Sequence, residues 1–376
     1  MRALIESCKT LWVERVESGA MKSRVIGAAL ALALGCGPGS TATRPSAPRT
    51  TPIVSEPLAR SERPSVSASP PVAVLAAAAS PVALSVDDAR TYWIDETQSL
   101  FDVSNEGGPP TRRARTRHNP MREPPRLAVD GGVLYWTQNS SDATEPGTQA
   151  LVRLAADDGE AVSLVALHGS GSLGCLLLEG DDLYWSQDGA VMRRSKQRAK
   201  ASRIGPVNDL GRGYACLAVD RTNVYAALGS SIGSTSKTGG PQTKLFTVAH
   251  VVQDLHVDET SLYWSSGDAL FRAPKAARSE REVVVLARAA SAVGALAIDE
   301  HDLYFTVPGS PTGAADGSVW RVGKDGSRLT RIASGQPSPR TVAVNASSVV
   351  WGCLGQHDSE WHVIESGNVS RMLKRP

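Results

Sequence analysis

Cysteine is scarce in this chain, at 5 of 376 residues, and aromatic side chains make up only 5%. The five cysteines show no CxxC spacing, and the 7 histidines are scattered. No metal-ligand pattern joins them, so no metal or cofactor is implied. An excess of one charge is missing too. The formal net charge is +2, and beyond residue 35 the chain balances at 35 basic and 35 acidic residues. Nonspecific phosphate binding needs a net basic face, which argues against nucleic acid as a partner. Two local basic runs, TRRARTRH from Thr111 and MRRSKQRAK from Met192, read as solvated outer strands and turns. Long apolar runs are absent. The one from Val25 to Leu34 is too short to span a bilayer as a helix. After residue 40, Gly and Pro recur too closely for long helices.

What the chain does have is a ten-residue phrase that returns seven times. It reads LSVDDARTYW from Leu84, LAVDGGVLYW from Leu127, LLLEGDDLYW from Leu176 and LAVDRTNVYA from Leu217. It continues as LHVDETSLYW from Leu255, LAIDEHDLYF from Leu296 and VAVNASSVVW from Val342. The intervals are 43, 49, 41, 38, 41 and 46 residues. Six of the seven tyrosines and five of the eight tryptophans sit in this phrase. Repeats of this length, each with a short hairpin, predict a β-propeller.

Each residue type in the phrase has a reason. An acid or amide opens the turn in every copy: Asp87, Asp130, Glu179, Asp220, Asp258, Asp299 and Asn345. Side-chain oxygens of Asp and Asn accept from the backbone two residues on and close such turns. Small residues such as Ala128, Ala218, Ala297 and Ala343 suit the crowded innermost strand. Tyr135 and Trp136 are consecutive, so they point to opposite faces of a strand covered on both sides by neighbouring blades. A third strand follows (SLFDVS, ALVRLA, AVMRRSK, SIGSTSK, ALFRAPK, SVWRVGK), then a turn and a β-branched fourth strand. The expected fold is all-β: a seven-bladed propeller of four-stranded antiparallel blades over 81–376, with six blades as the alternative. The C-terminal segments WHVIESG and NVSRML read as a hairpin forming the outer half of the last blade. The run at Val72 competes for the outermost place.

The N-terminal part reads as targeting. Lys22 and Arg24 after Met21, the apolar run, then Gly35 and Cys36 have the layout of a secretory signal peptide over 1–35, with Met21 as the start. The ending ALGC resembles a bacterial lipobox, which implies lipidation of Cys36. From 36 to 80 the chain is rich in Pro, Ser, Thr and Ala, the composition of a disordered tether. The expected location is therefore the bacterial cell envelope, with the propeller lipid-anchored to the outer membrane or facing the periplasm.

The phrase with its third strand (LAVDGGVLYWTQ, LYWSQDGAVMRRSK) resembles the YWTD-type propeller of low-density lipoprotein receptors and its bacterial relatives. That resemblance implies the fold. Two departures stand out: the family usually has six blades, and the aspartate of its box is kept here only at Asp95. Aspartate contacts between blades are therefore not implied.

Strand direction puts the loops between strands two and three on the same face as the connections into the next blade. The long ones run over 137–149, 205–215, 306–317 and 355–360. Long loops carry function when anything does. At this pore mouth the inner strands begin with Ala83, Arg126, Cys175, Cys216, Asp254, Ala295 and Thr341. Arg126, Asp254, Cys175 and Cys216 are the candidate binding residues, and no catalytic residue is expected. The functional expectation is a non-enzymatic scaffold that binds an envelope protein or a glycan. The alternative is a propeller enzyme resembling streptogramin lyases or calcium-dependent lactonases.

Overall fold

The computed structural model describes residues 71–374, apart from 78, 118–123, 140–148, 157–158, 168–172, 199, 207–214, 311, 313–314 and 359–362. The expected signal peptide, Cys36 and the tether up to residue 70 lie outside the described residues. Among the described residues no helix is long and apolar enough to cross a membrane.

Seven four-stranded antiparallel sheets form the blades of a propeller. Strand β1 (Val72–Ala77) precedes blade 1, which holds β2 (Pro81–Val86), β3 (Arg90–Asp95), β4 (Ser99–Ser104) and β5 (Thr111–Arg115). Blade 2 holds β6 (Leu127–Asp130), β7 (Val133–Asn139), β8 (Gln149–Leu154) and β9 (Val162–Leu167). Blade 3 holds β10 (Leu173–Glu179), β11 (Asp182–Gln187), β12 (Ala190–Ser195) and β13 (Ser202–Pro206). Blade 4 holds β14 (Ala215–Val219), β15 (Asn223–Leu228), β16 (Ser231–Ser236) and β17 (Thr243–Thr247). Blade 5 holds β18 (Asp254–Val257), β19 (Ser261–Ser266), β20 (Ala269–Pro274) and β21 (Val284–Arg288). Blade 6 holds β22 (Leu296–Ile298), β23 (Asp302–Val307), β24 (Gly317–Gly323) and β25 (Thr330–Gln336). Blade 7 is made of β26 (Pro339–Val344), β27 (Ser348–His357) and β28 (Val363–Leu373), with β1 as its outermost strand. The first strands of neighbouring blades touch one another, so they line the axis.

Two expectations need correction. The propeller starts at Val72, not at 81, because β1 pairs with β28 from Val72↔Met372 to Ala77↔Asn368. The C-terminal segments are not a hairpin either: 363–373 is one strand, the third of its blade, paired with β27. The ring is thus closed by hydrogen bonds between the two ends of the described chain. Gly239 (φ 96°), Gly240 (φ 131°) and Gly326 (φ 87°), in turns between third and fourth strands, lie in the left-handed region those turns require.

The apolar interior is divided among the blade interfaces, and the aromatic pair of the phrase sets its order. Tyr92 of blade 1 packs in one cluster with Trp136 of blade 2, and Tyr135 packs with Trp185. Tyr225 joins Trp264, Tyr263 joins Phe305, and Tyr304 joins Trp351. Trp93 closes the ring against Val350 of blade 7. Each tyrosine therefore faces the following blade and each tryptophan the preceding one, as consecutive residues of a strand must. All five phrase tryptophans are 2% exposed or less.

A β-bulge recurs in every blade where the fourth strand pairs with the third. The unpaired residue is Arg113, Leu164, Ile204, Leu245, Leu286, Ile332 or, in blade 7, Leu75. Five of these, all but Arg113 and Leu164, are buried. A bulge re-aims one side chain and adds twist, and here it brings an extra apolar residue into the interface from an otherwise exposed outer strand.

Removing one interface aromatic leaves a cavity that its close-packed neighbours cannot fill. Trp264→Ala is expected to cost about 3–5 kcal/mol in unfolding free energy. A urea midpoint within error of the parent protein would show that Trp264 contributes no such packing.

Candidate functional site

The propeller has two ends. One carries the turns between strands one and two, and the other carries the longer connections.

At the turn end, the acid that opens each hairpin is the centre of a repeated constellation. In blade 4, Asp220 Oδ1 accepts from the backbone N–H groups of Thr222 and Asn223, both at 2.8 Å. Its Oδ2 accepts from the Tyr225 hydroxyl at 3.1 Å and from Lys275 Nζ of blade 5 at 2.7 Å. Asp258 repeats this with Thr260, Ser261, Tyr263 and Lys324. Asp299 repeats it with His301, Asp302, Tyr304 and Lys374. Lys196 meets Asp130 at 2.6 Å, and Lys237 meets Glu179. Lys237, Lys324 and Lys374 also lie over the rings of Tyr184, Tyr263 and Tyr304, at 5.3, 5.7 and 5.6 Å from the centroids. Five of the seven interfaces thus carry a lysine from one blade on the turn acid of the blade before it.

The other two interfaces replace the ion pair. Between blades 7 and 1 the turn residue is Asn345 and the lysine position holds Asn105; both side-chain amides donate to the Asp87 carbonyl, at 2.8 and 2.9 Å. Between blades 1 and 2 the lysine position is Ala156. There Arg113, the bulge residue, donates to the Ala156 carbonyl at 3.0 Å and to buried Asp102 at 3.0 Å. Aspartate contacts between blades therefore do exist in this chain, and at this end they come from the residue that opens the turn. Asp95, the box position, bonds within its own blade to Thr97 and Ser99.

Burial alone would raise the carboxyls of Asp220, Asp258 and Asp299, but the lysine and backbone donors outweigh it and hold each at about 2. Burial and the neighbouring carboxylate push Tyr225 and Tyr263 up to about 12. An open hollow of about 990 Å3 lies at this end, lined among others by Glu179, Asp220, Asp258, Glu259, Lys275 and Glu300.

At the loop end, the candidate residues fall on the inner strands or just before them, and the side chains of Cys216 and Asp254 reach the next blade. Cys175 of blade 3 and Cys216 of blade 4 lie in one buried cluster across the blade interface and form no disulfide. The Cys216 thiol also donates to the Gln253 carbonyl of blade 5 at 3.1 Å. Asp254 Oδ2 accepts from the Leu296 N–H of blade 6 at 3.2 Å, and its other oxygen lies 3.6 Å from His256 Nε2. His256 in turn contacts the Leu296 carbonyl at 2.9 Å. Arg126 sits in this electrostatic neighbourhood. The Cys216 hydrogen bond lowers the Cys175 thiol against the effect of burial, with help from the Arg126 charge. Its own bond to Cys175 and burial raise Cys216. Burial would lower His256, but Asp254 raises it.

All four candidates therefore lie in one region, and His256 joins them. Sequence reading had left His256 among the scattered histidines; its signal was position, two residues after Asp254 and so on the same face of the strand. Cys353 is fully buried elsewhere, where burial pushes its thiol up to about 12. Among the described residues no group of three or more His, Cys, Asp or Glu side chains is placed to hold a metal ion.

Comparison with known proteins agrees on architecture. No protein-family model matches the chain, and no curated protein matches it. Among solved structures, the WD40 β-propeller domain of Doa1 is similar at 13% identity and a TM-score of 0.57, over 82% of this chain and 98% of that one. YCF48 bound to D1 peptide is similar at 10% identity and a TM-score of 0.55, over 81% and 97%. PorZ, a surface component of the type-IX secretion system of Porphyromonas gingivalis, is similar at 12% identity and a TM-score of 0.53, over 75% of this chain and 36% of that one. These likenesses define the class: a β-propeller.

The depressed carboxyls make stability depend on acid in a defined window. A group held below its ordinary pKa stabilises the fold fully above about pH 4, and that contribution disappears as pH falls towards 2. Lys275→Met should let Asp220 return towards the ordinary range, costing about 1 kcal/mol at pH 7 after solvent screening. Urea midpoints measured from pH 7 to pH 2 should show the variant and parent converging in acid. Parallel curves across that range would remove Asp220–Lys275 as the cause.

Proposed function

We propose that this chain is an exported, lipid-anchored propeller that binds a protein or a glycan through its loop end. The observation that supports the reading best is how the two ends use their side chains. At the turn end, acids, tyrosines and lysines are consumed in holding blade to blade. At the loop end the sequence places its long connections, 137–149, 205–215, 306–317 and 355–360, and long loops carry function when anything does. Propellers of similar fold include YCF48, whose solved structure holds a peptide, and PorZ, a bacterial surface component.

The course of the chain supports the same face. Val72 pairs with Met372, near the turn end where Lys374 meets Asp299, so the chain enters blade 7 at the turn end. Arg126 brings a positive charge to the loop end. Asp254 is occupied by Leu296 and His256, so its role in this reading is to hold blades 5 and 6 together.

Two measurements test the reading. Mass spectrometry of the membrane fraction should find an acylated Cys36 as the first residue, and Cys36→Ala should release soluble protein; a mature N-terminus elsewhere would refute the anchor. Exchange of residues 140–148 for a short Gly-Ser turn should leave the unfolding midpoint unchanged and lower partner recovery from envelope extracts at least tenfold. That exchange spares Gln149, whose side chain accepts from Leu173 N–H at 2.5 Å. Full recovery after the exchange, with loss on altering the turn at Asp325-Gly326, would move the binding face to the turn end.

A further inference from the structure

We propose that the outer rim of blades 1 to 3 is a docking surface for a membrane that bears anionic lipid headgroups. The segments 111–117 and 193–203 hold ten basic residues and no acid. Arg113, Arg193 and Lys196 pair with Asp102, Asp182 and Asp130, and Arg194 donates to the Leu164 and Arg198 carbonyls. The other six, Arg112, Arg115, Arg117, Arg198, Lys200 and Arg203, are exposed, and among the described residues no acid pairs with them. They lie on or beside β5 and β13, the outermost strands of blades 1 and 3. Between these runs β9, the outermost strand of blade 2, whose sequence VSLVAL carries no charge and leaves Val162 51% exposed. Register sets the three strands level. Arg112, Ser163 and Arg203 pair with Phe101, Val152 and Met192, which in turn pair with the phrase tryptophans Trp93, Trp136 and Trp185.

Charge and side-chain type select the partner. Basic residues near an anionic leaflet are drawn to its headgroups, and an uncharged strand with an exposed valine between them suits the boundary of headgroups and acyl chains. The surface follows the edges of three successive blades, so it is a convex arc that fits a broad surface better than a small ligand. No aromatic residue stands in 111–117, 161–167 or 193–203, so nothing there offers a face on which bases could stack. The chain beyond residue 35 is balanced in charge, so the arc arises by segregation and not by excess. The outer edges of blades 5 and 6, by contrast, mix signs through Glu280, Glu282 and Asp325. The chain also joins the propeller nearby, since Val72 lies on β1, the outermost strand of blade 7, which neighbours blade 1. The inference rests on the anchored reading for the presence of a membrane, and it leaves both ends of the propeller free for a partner.

The test uses the full chain carrying Cys36→Ala, so that no lipid is attached, sedimented with vesicles of phosphatidylcholine alone or mixed with phosphatidylglycerol. Binding should require phosphatidylglycerol and should be lost at about 1 M salt, where the screening length falls to about 3 Å. That salt response needs no further variant and so does not depend on how any variant folds. Replacing Arg112, Arg115 and Arg117 by Gln should weaken binding roughly 100-fold, at about fivefold for each basic residue near an anionic surface. Replacing Arg198, Lys200 and Arg203 by Gln should do the same. Arg281→Gln with Arg288→Gln, on blade 5, should bind like the parent. Residues 1–71 are common to every variant, so they cannot account for these differences. Equal binding to both kinds of vesicle, rim variants that bind like the parent, or rim-dependent capture of a DNA duplex without vesicle binding would overturn the proposal. The anchor is tested apart from it: an unacylated Cys36 in cells together with rim-dependent vesicle binding would remove the anchor and keep this surface.

Discussion

In blades 4, 5 and 6 the carboxylate at the mouth of the inner hairpin does several jobs with two oxygens. One oxygen closes the turn by accepting two backbone N–H groups. The other takes a tyrosine hydroxyl from its own blade and an ammonium group from the next, and Asp130 and Glu179 of blades 2 and 3 also take an ammonium group from the next blade. Hydrogen bonds to a charged acceptor contribute about 1.5–3 kcal/mol each, more than a neutral turn bond. The same tyrosine has its ring in the apolar interface, so local turn, hairpin and blade packing share one side chain. A ring of seven wedges is only as sound as each interface, and this arrangement repeats the same joint around most of it. Where the lysine is missing, the chain compensates with neutral amides at Asn105 and Asn345, or with Arg113.

A second layer of ties runs beside the first. Arg193 of blade 3 donates to the Lys237 carbonyl of blade 4 at 3.3 Å, and Arg272 of blade 5 donates to the Lys324 carbonyl of blade 6 at 3.1 Å. Arg371 of blade 7 donates to the Asn105 carbonyl of blade 1. Each arginine fixes the backbone of the residue whose side chain makes the other tie. Blade 1 has Asp102 at that arginine position, and the bulge residue Arg113 does the work instead while pairing with Asp102. A buried carboxylate without a cation would be costly, and Asp102 has two, Arg90 of its own blade and Arg113.

The architecture was readable because it rests on local patterns: the repeated phrase, the turn acids and the alternation of Tyr and Trp. What was missed is non-local. The lysines are visible in the third-strand runs, but their partners lie 55 to 75 residues away in sequence, as with Asp220–Lys275 and Asp299–Lys374, and the repeat alone does not show which blade each one reaches. The bulges were invisible because an extra Leu or Ile in a β-branched run changes nothing in its composition. Gly367 misled in the opposite direction. Within ESGN it looks like a turn, yet it sits in the middle of β28, where a Cβ would collide with the Ala79 and Cys353 carbonyl oxygens. The glycine is there for close approach of backbones, not for a change of direction. At the loop end, position on the inner strands placed Arg126, Cys175, Cys216 and Asp254 together, but could not tell that Asp254 is spent on the neighbouring blade.

That last point follows from the geometry of any propeller axis. The innermost strand of a blade has one edge with no partner strand, so some of its N–H and C=O groups point at the channel. Buried backbone groups must find partners, and the polar side chains just before or within each inner strand are the nearest ones. Asp254 and His256 take the N–H and carbonyl of Leu296, and Cys216 donates to the carbonyl of Gln253. Polar residues at a propeller mouth therefore begin as structural caps for exposed strand edges. They become ligands for something else only where the cap can let go. A thiol, whose hydrogen bonds are weak, lets go more easily than a carboxylate held by a backbone N–H and an imidazole.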